Sequence, residues 1–269
     1  MQTNLNEKAK EIRRLTLECI GSLGSGHVGG SLSLGDLLAV LYHDKMNIDP
    51  TNPKMEGRDR LVCSKGHAGP AIYAALASKG FIPVEQLKTL NKLGTDLPSH
   101  CDMNKTRGID MTTGSLGQGL SLAVGAALGS KISKDNATIY CIIGDGESQE
   151  GQIWEAAMYA AHAKVDNLIT FTDFNNLQID GSIDEVNGLE KLDEKWLAFG
   201  WDVQRINGHD VDAIAAAIDK AKAVKGKPAM IILETTKGKG VPFIEEKKAG
   251  CHHMPLSGDD LAKALEALA

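Results

Sequence analysis

Hydrophobic positions along the chain follow two kinds of repeat. In residues 5–20 apolar side chains recur every three or four positions, which predicts an amphipathic helix that ends at Gly21. Short continuous apolar runs rich in β-branched residues predict buried strands instead. Strands are predicted at residues 60–64, 137–143, 168–172, 201–206 and 230–234, and further helices at residues 33–42 (capped by Ser33), 70–79, 84–93, 120–131, 152–163, 189–199, 211–224 and in the last dozen residues.

The order of these elements predicts the fold class. From residue 137 onward strands and helices alternate, which is typical of an α/β protein with a doubly wound, mostly parallel sheet flanked by helices. Residues 1–269 contain no repeat or linker and are expected to form a single domain. Right-handed crossovers would bring the carboxyl ends of the strands to one edge, where such sheets bind ligands. Residues 237–253, rich in Gly and Lys, are predicted to form one long loop.

Composition and charge narrow the class of protein. The 269 residues are 42% hydrophobic and 24% charged, which excludes a disordered chain and allows a full core. The net charge of −6 argues against a nucleic-acid partner. Five cysteines without a CxxC spacing argue against a structural zinc site and favour a reducing compartment. Neither a signal peptide nor a membrane-length apolar run occurs, so we expect a cytoplasmic protein with no membrane partner.

The clearest chemical signal is Asp145 between two glycines, directly after the predicted strand 137–143. Glycines there let a phosphate approach backbone N–H groups. Asn175 and Leu177 follow the next strand, and the two loops lie side by side in a βαβ unit. A carboxylate, an amide oxygen and a backbone carbonyl are ligands that Mg²⁺ shares with phosphate. A tight turn and an Asx-capped loop are the alternative. The occurrence of both elements on consecutive strands favours a metal–phosphate site.

These residues lie within a resemblance that spans nearly the whole chain. Residues 144–156 and 167–181 resemble the thiamine-diphosphate motif, and specifically that of transketolase. Residues 25–27, 64–68, 113–119 and 252–256 resemble further transketolase segments and occur in the family's order. The resemblance implies a diphosphate-type thiamine-diphosphate-binding domain. It also implies transfer of a two-carbon ketol unit from a ketose phosphate to an aldose phosphate in the pentose phosphate route.

The resemblance also implies residue roles. Asp145, Asn175 and the Leu177 carbonyl match ligands of Mg²⁺, for which Ca²⁺ or Mn²⁺ would substitute. The residues that match cofactor contacts are His67, Gly114, Ser115, Leu116, Gly144, Asp145, Gly146, Glu147, Asn175 and His252. The implied catalytic histidines, which would move protons on sugar hydroxyls, are His27, His67, His100 and His252. His253 and Asn176 are adjacent alternatives to His252 and Asn175.

Other implied features concern a partner. Glu150 and Glu155 match glutamates of a carboxylate network that spans subunits. Transketolases are more than twice as long as this chain. Their second domain carries the glutamate that drives ylid formation and the arginines that grip the sugar phosphate. No segment here matches that domain, so the chain is expected to be a fragment or the amino-terminal subunit of a split transketolase. A carboxyl-terminal transketolase subunit would be its partner, in a two-plus-two assembly with sugar phosphates as substrates.

Two alternatives to this function stay open. One is a related split transferase for another ketose, such as a branched or unphosphorylated sugar. The other is a non-catalytic cofactor-binding module. Smaller expectations concern single residues: Trp154, Trp196 and Trp201 are predicted to be core or interface anchors, and Cys101 lacks the partner that a nucleophile needs.

Overall fold

A parallel sheet of five strands lies at the centre of the computed structural model, which describes residues 4–269. In chain order the strands are β1 (Ser25–Gly26), β2 (Arg60–Cys63), β3 (Ile139–Gly144), β4 (Leu168–Phe174), β5 (Asp202–Asn207), β6 (Ala229–Glu234) and β7 (Met254–Pro255). The central sheet has the order β2-β3-β4-β6-β5, and all its pairs are parallel. Strands β1 and β7 form a separate antiparallel pair.

Helices cover both faces of the central sheet. They are α1 (Leu5–Gly21), α2 (Gly29–Leu32), α3 (Gly35–Val40), α4 (Gly69–Lys79), α5 (Gln118–Ser133), α6 (Gly151–His162), α7 (Ile183–Asn187), α8 (Leu192–Ala198), α9 (Val211–Ala223), α10 (Pro242–Glu245) and α11 (Gly258–Glu266). Short 3₁₀ turns occur at Gly66–Ala68, Val84–Thr89, Gly146–Gln149 and Lys248–Cys251. None of the helices in residues 4–269 combines the length and apolar character needed to cross a lipid bilayer.

Alternating side chains of the buried strands pack into two hydrophobic cores, one on each face of the sheet. In β3, Tyr140 and Ile142 pack into the core that contains α1, α3, α4 and α9. Ile139, Cys141 and Ile143 pack into the core that contains α5, α6 and α8. A strand buried on both faces needs apolar residues at every position, which is why the run 137–143 carries no polar alternation. The predicted doubly wound α/β sheet is thereby confirmed.

Several predicted elements differ from the structure. The helix predicted at residues 84–93 is a 3₁₀ turn that ends at Thr89, because Asn91 has a left-handed backbone with φ 53°. The helix predicted at residues 189–199 is confined to α8, and α7 precedes it. The predicted loop 237–253 contains α10 and a 3₁₀ turn.

Ser33 does not cap the helix that follows it, contrary to prediction. Its hydroxyl donates to Asp173 Oδ2 at 2.7 Å, and α3 begins only at Gly35. The Ser33 hydroxyl therefore bonds to the buried Asp173 carboxylate of β4 instead of capping the start of α3. The tryptophan prediction is confirmed, since Trp196 and Trp201 are fully buried and Trp154 packs on Trp196 with ring centroids 4.9 Å apart.

Gly119 in the first turn of α5 offers a direct test of how tightly this helix packs on the end of β2. A Cβ atom at position 119 would lie 2.3 Å from Ser64 Oγ and 2.6 Å from Ser64 Cα. Because that backbone atom cannot move away cheaply, Gly119→Ala should lower the free energy of unfolding by about 1–3 kcal/mol.

Gly125→Ala, in the same helix, is the matched control for a denaturant titration. A Cβ at position 125 would meet no atom within 4 Å. This variant should therefore raise the free energy of unfolding by as much as about 1 kcal/mol through helix propensity alone. Equal effects of the two substitutions would contradict the close packing at position 119.

Candidate active site

The carboxyl ends of four parallel strands meet at one edge of the sheet. Lys65 follows β2, Asp145 follows β3, Asp173 is the penultimate residue of β4, and Lys237 follows β6. A cavity of about 220 Å³ opens along this edge. The predicted residues that line it are His67, Leu116, Gly144, Asp145, Gly146, Glu147, Asn175, Leu177 and His252. A larger cavity of about 420 Å³ lies elsewhere and contains none of the predicted residues.

A buried ion pair forms the floor of this edge. Lys65 donates to Asp173 Oδ2 and, at 2.7 Å, to the carbonyl oxygen of Gly30. Burial opposes ionisation of Asp173, but the Lys65 ammonium outweighs it and holds the pKa of the carboxyl below its ordinary value. Further hydrogen bonds to this carboxylate come from Ser33, Asn175 and Thr235.

Asp145 is buried at the cavity, and its carboxylate accepts hydrogen bonds from backbone N–H groups. Its Oδ1 accepts from the Gly146 N–H at 2.8 Å, and its Oδ2 accepts from the Asn176 N–H at 2.6 Å. Burial, followed by repulsion from Asp173, raises the pKa of Asp145 to about 6. A positive charge placed beside the carboxylate would reverse that shift.

Two more oxygen atoms complete the predicted metal ligand set. Asn175 Oδ1 accepts from the Leu177 N–H at 3.2 Å, and the Leu177 carbonyl accepts from Lys237 Nζ at 2.9 Å. Carboxylate, amide and carbonyl oxygens are the donors that Mg²⁺ prefers, with phosphate oxygens supplying the rest. Within the described residues no three His, Cys, Asp or Glu side chains group as a metal site.

Five histidines cluster at the mouth of the cavity. Pairing of β1 with β7 sets Gly26 opposite Met254, which brings His27 next to the 252–253 pair. The ring centroid of His27 lies 5.2 Å from that of His67, 5.7 Å from His100, 5.4 Å from His252 and 4.9 Å from His253. All four histidines predicted to be catalytic are thus brought together.

His252 faces the cavity, whereas His253 is exposed. His252 lines the cavity, and its Nδ1 lies 3.2 Å from Lys237 Nζ. His253 contributes only to the outer side of the cluster, against His27. The geometry favours His252 over its neighbour as the residue that reaches a bound ligand.

Burial favours the uncharged imidazoles of His27, His67, His100 and His252. Burial, with nearby lysines and histidines, lowers the pKa of His27 to about 4, of His67 to about 2 and of His252 to about 3. Burial also lowers the pKa of His100. The pKa of Lys237 is lowered by burial and by Lys65. An anionic group in the cavity would favour the charged forms of these side chains.

Glu147, predicted to contact the cofactor, has its carboxylate engaged by the protein. Oε1 accepts from Ser64 and from the Gly117 N–H at 2.9 Å, and Oε2 accepts from the Gly144 N–H at 3.0 Å. The carboxylate ties the glycine-rich turn of residues 113–119 to the end of β3. It therefore shapes the cavity wall through its backbone partners.

The remaining predicted residues lie around this wall. Gly114 lies against His100, since a Cβ at position 114 would be 3.5 Å from the imidazole Cδ2. Ser115 and Leu116 are exposed, and of these two only Leu116 lines the cavity. Gly114 and Ser115 thus lie outside the cavity itself. Cys101 beside His100 is buried, and burial raises the pKa of its thiol to about 12, which disfavours the thiolate that a nucleophile needs.

Sequence reasoning misses three residues of the site: Lys65, Asp173 and Lys237. Lys65 and Asp173 carry no separate signal in the sequence, because their pairing joins positions 108 residues apart. The run 237–240 is equally compatible with phosphate attraction and with a solvated loop. Phosphate attraction is favoured by the position of Lys237, which lies three residues after a buried strand of the same sheet.

Comparisons with known proteins point to a family for this chain. A family model described as the thiamine diphosphate binding domain of transketolase matches residues 5–269. A 6-deoxy-6-sulfo-D-fructose transketolase subunit from Clostridium sp. (strain MSTE9) is 59% identical over 99% of this chain and 96% of its own length. An apulose-4-phosphate transketolase subunit from Phocaeicola vulgatus is 40% identical over 93% of this chain and 89% of its own length.

Solved transketolases share the fold. The transketolase from Campylobacter jejuni superimposes with a TM-score of 0.90 and 36% identity, and that from Leishmania mexicana with 0.91 and 32%. The match covers 98% of this chain in both cases, but only 42% and 41% of those chains. This chain therefore spans about two fifths of the solved enzymes.

His67 offers a test of the uncharged histidine cluster through the pH dependence of stability. Between the unfolded value near 6.5 and the lowered native pKa, only the unfolded chain takes up a proton at this position. The wild-type chain should lose stability as the pH falls from 6.5 towards 4. His67→Gln should reduce the slope of this loss by about 1.4 kcal/mol per pH unit.

The measurement is the free energy of unfolding from urea titrations at several pH values. Taking the difference between variant and wild type removes the opposite contribution of Asp145, whose raised pKa is common to both. His162→Gln, at the C-terminal end of α6 and away from the cavity, is the matched control. Parallel pH profiles for His67→Gln and the wild type would contradict an uncharged buried imidazole.

Proposed function

The chain belongs to the transketolase family, to its amino-terminal thiamine-diphosphate-binding part, and from this we propose that it transfers a two-carbon ketol unit from a ketose to an aldose together with a carboxyl-terminal partner subunit. One observation carries the proposal. The oxygen set of Asp145, Asn175 and Leu177 lines the same cavity as His67 and His252. A metal–diphosphate site and a group of proton-transfer side chains therefore share one edge of the sheet.

The cavity residues suit a diphosphate paired with a divalent cation. Asp145, Asn175 and the Leu177 carbonyl would hold Mg²⁺, or Ca²⁺ or Mn²⁺ in its place. The Gly146 backbone with His67 and His252 would contact the diphosphate. Burial and the charges of Lys65 and Lys237 lower the pKa values of both histidines, and a bound anion would offset that repulsion. When bound, thiamine diphosphate supplies the carbanion chemistry, which leaves binding, orientation and electrostatics to the protein.

His27 and His100 have the position and the charge state to act on sugar hydroxyls. Both imidazoles are uncharged at neutral pH, because burial lowers their pKa values. An uncharged imidazole can take a proton from a hydroxyl and return it to an alkoxide, which two-carbon transfer requires in alternate steps. Their rings lie 5.7 Å apart, close enough for both to face one sugar chain.

Exposed groups around the cavity support the proposal of a partner subunit. Leu116 and Ile179 line the cavity with side chains that are 37% and 66% exposed. Glu150 at the cavity and Glu155 on α6 are also exposed, as carboxylates shared between subunits would be. The relatives named as subunits match this chain over almost their whole length. We propose an assembly of two such chains and two partner subunits. We also propose that it works in the reducing cytoplasm, because five free cysteines favour such a compartment.

The donor we propose is a sulfonated ketose. A relative named for 6-deoxy-6-sulfo-D-fructose is 59% identical to this chain, whereas the relative named for apulose 4-phosphate is 40% identical. Both donors are ketoses that end in an anionic group, so the two-carbon chemistry is the same. A ketose phosphate of the pentose phosphate route is the second candidate, and a non-catalytic cofactor-binding module is the third.

Isolation of the complex and a transfer assay test the function. The chain, tagged in its native host, should retain a second chain in equal amounts, identified by mass spectrometry. With Mg²⁺, thiamine diphosphate and an aldose phosphate acceptor, the complex should consume 6-deoxy-6-sulfo-D-fructose faster than fructose 6-phosphate. Preference for fructose 6-phosphate would overturn the proposed donor. Cofactor binding without transfer from any ketose would instead favour the non-catalytic module.

Asp145→Ala separates cofactor binding from folding. Loss of the only carboxylate in the proposed cation site should weaken magnesium-dependent binding of thiamine diphosphate by roughly 100-fold or more. The far-ultraviolet circular dichroism spectrum should stay unchanged, because Asp145 bonds only to neighbouring backbone groups. Calorimetric titration of the complex with and without Mg²⁺ gives the affinity. Retained magnesium-dependent binding would refute the ligand assignment.

His100→Ala is expected to act on turnover instead. The imidazole lies outside the lining of the cavity but within the histidine cluster. The variant should keep its affinity for thiamine diphosphate and lose about 100-fold in kcat, as removal of a proton-transfer group does. Steady-state kinetics beside calorimetry provide both numbers. An equal loss of binding and turnover would be incompatible with a role on the substrate.

A further inference from the structure

A buried charged cluster of Arg13, Asp36 and His209 lies outside the residues that line the cavity. Arg13 of α1 and Asp36 of α3 form an ion pair through two hydrogen bonds, with side chains only 8% and 7% exposed. Arg13 Nε also donates to the carbonyl of Leu32 at 3.0 Å. The cluster therefore joins three helices behind the cavity.

His209 extends this cluster to the loop after β6. It lies in the turn between β5 and α9, with Nδ1 2.7 Å from Asp36 Oδ2. Its Nε2 lies 2.8 Å from the backbone nitrogen of Thr236. A backbone N–H can only donate, so Nε2 is the acceptor and the imidazole proton is on Nδ1, directed at Asp36. Asp36 thus fixes both the tautomer and the ring orientation.

The turn that carries His209 is built for this close approach. Gly208 precedes it, and a Cβ at position 208 would lie 2.5 Å from Thr235 Cγ2 and 2.9 Å from Leu233 Cβ. Any side chain at this position would push the turn away from the β6 loop. The contact between His209 and Thr236 therefore depends on two features: Gly208 allows the close approach, and Asp36 orients the imidazole.

Three consecutive residues of the β6 loop are each anchored by a different contact. Thr235 Oγ1 donates to Asp173 Oδ1 at 2.5 Å. The Thr236 N–H donates to His209. Lys237 Nζ donates to the Leu177 carbonyl at 2.9 Å, inside the cavity. His209 thus holds the backbone N–H of Thr236, the residue directly before the cavity lysine.

We propose that His209, oriented by Asp36 and Arg13, is a positioning residue for the cofactor site. It fixes the peptide between Thr235 and Thr236, one residue before Lys237, so that the Lys237 ammonium stays against Leu177 and His252. This inference rests on the proposed function, because it assumes that the diphosphate of the cofactor binds in this cavity. Because Thr236 is exposed, water can replace the lost hydrogen bond, and the chain should fold without His209.

Three substitutions of His209 separate its two contacts. In His209→Gln the side-chain carbonyl can still accept from the Thr236 N–H. In His209→Asn the shorter amide can still donate to Asp36 but cannot reach Thr236. His209→Ala removes both contacts. His43→Asn is the matched control, since this half-buried histidine bonds to Ser78 and lines none of the cavity.

Two readouts on the isolated complex decide the proposal. Hydrogen exchange at the amide of residue 236 should accelerate in His209→Asn and His209→Ala and stay slow in His209→Gln and His43→Asn. With Mg²⁺ present, the Kd for thiamine diphosphate should rise about tenfold in His209→Asn and His209→Ala, as for loss of an outer-shell contact. It should stay near the wild-type value in His209→Gln, and kcat at saturating cofactor should change little in all four.

Distinct results would overturn the proposal. Exchange at residue 236 that is unchanged in every variant would refute the anchor. A Kd that is unchanged in His209→Ala, or raised equally in His209→Gln, would refute the positioning of the cofactor site. If the wild-type complex bound no thiamine diphosphate, the proposed function would fail, and hydrogen exchange would still decide whether His209 anchors the loop.

Discussion

The buried pair of Lys65 and Asp173 is the interaction on which the rest of the site depends. Lys65 is 2% exposed and Asp173 is fully buried, so neither charge is balanced by water. A buried ion pair contributes little net stability, but removal of one partner leaves an uncompensated charge. The pair joins β4 to the loop after β2, and Asp173 also holds Thr235 of the β6 loop. The strand ends that form the cavity are therefore fixed relative to one another.

Charge around the cavity is unbalanced in two opposite ways. Asp145 has a raised pKa because it is buried beside another carboxylate, which is a deficit of positive charge. His67 and His252 have lowered pKa values because they are buried beside lysines, which is a deficit of negative charge. A divalent cation on the first side and a diphosphate on the second would relieve both deficits. This complementarity supports the proposed pair of a divalent cation and a diphosphate.

Much of the fold could be predicted from local sequence. The largely apolar, β-branched run 137–143 predicts a strand buried on both faces, and the Gly-Asp-Gly turn after it places Asp145 at the ligand edge. Local signals failed where a distant residue determined the structure. Ser33 has the chemistry of a helix cap but bonds to Asp173, 140 residues away. The contact of His209 with Thr236 depends on the order of β5 and β6 in the sheet, which no repeat in the sequence encodes.

We propose that the cation and the diphosphate bind together between the ends of β3 and β4. The most direct test is a crystal structure of the complex grown with thiamine diphosphate and Mn²⁺, with the metal located by anomalous scattering. We expect one manganese peak within coordination distance of the Asp145 carboxylate, the Asn175 amide oxygen and the Leu177 carbonyl, with the diphosphate as its remaining ligand. A manganese peak elsewhere, or a cofactor bound without contact to these three residues, would contradict it.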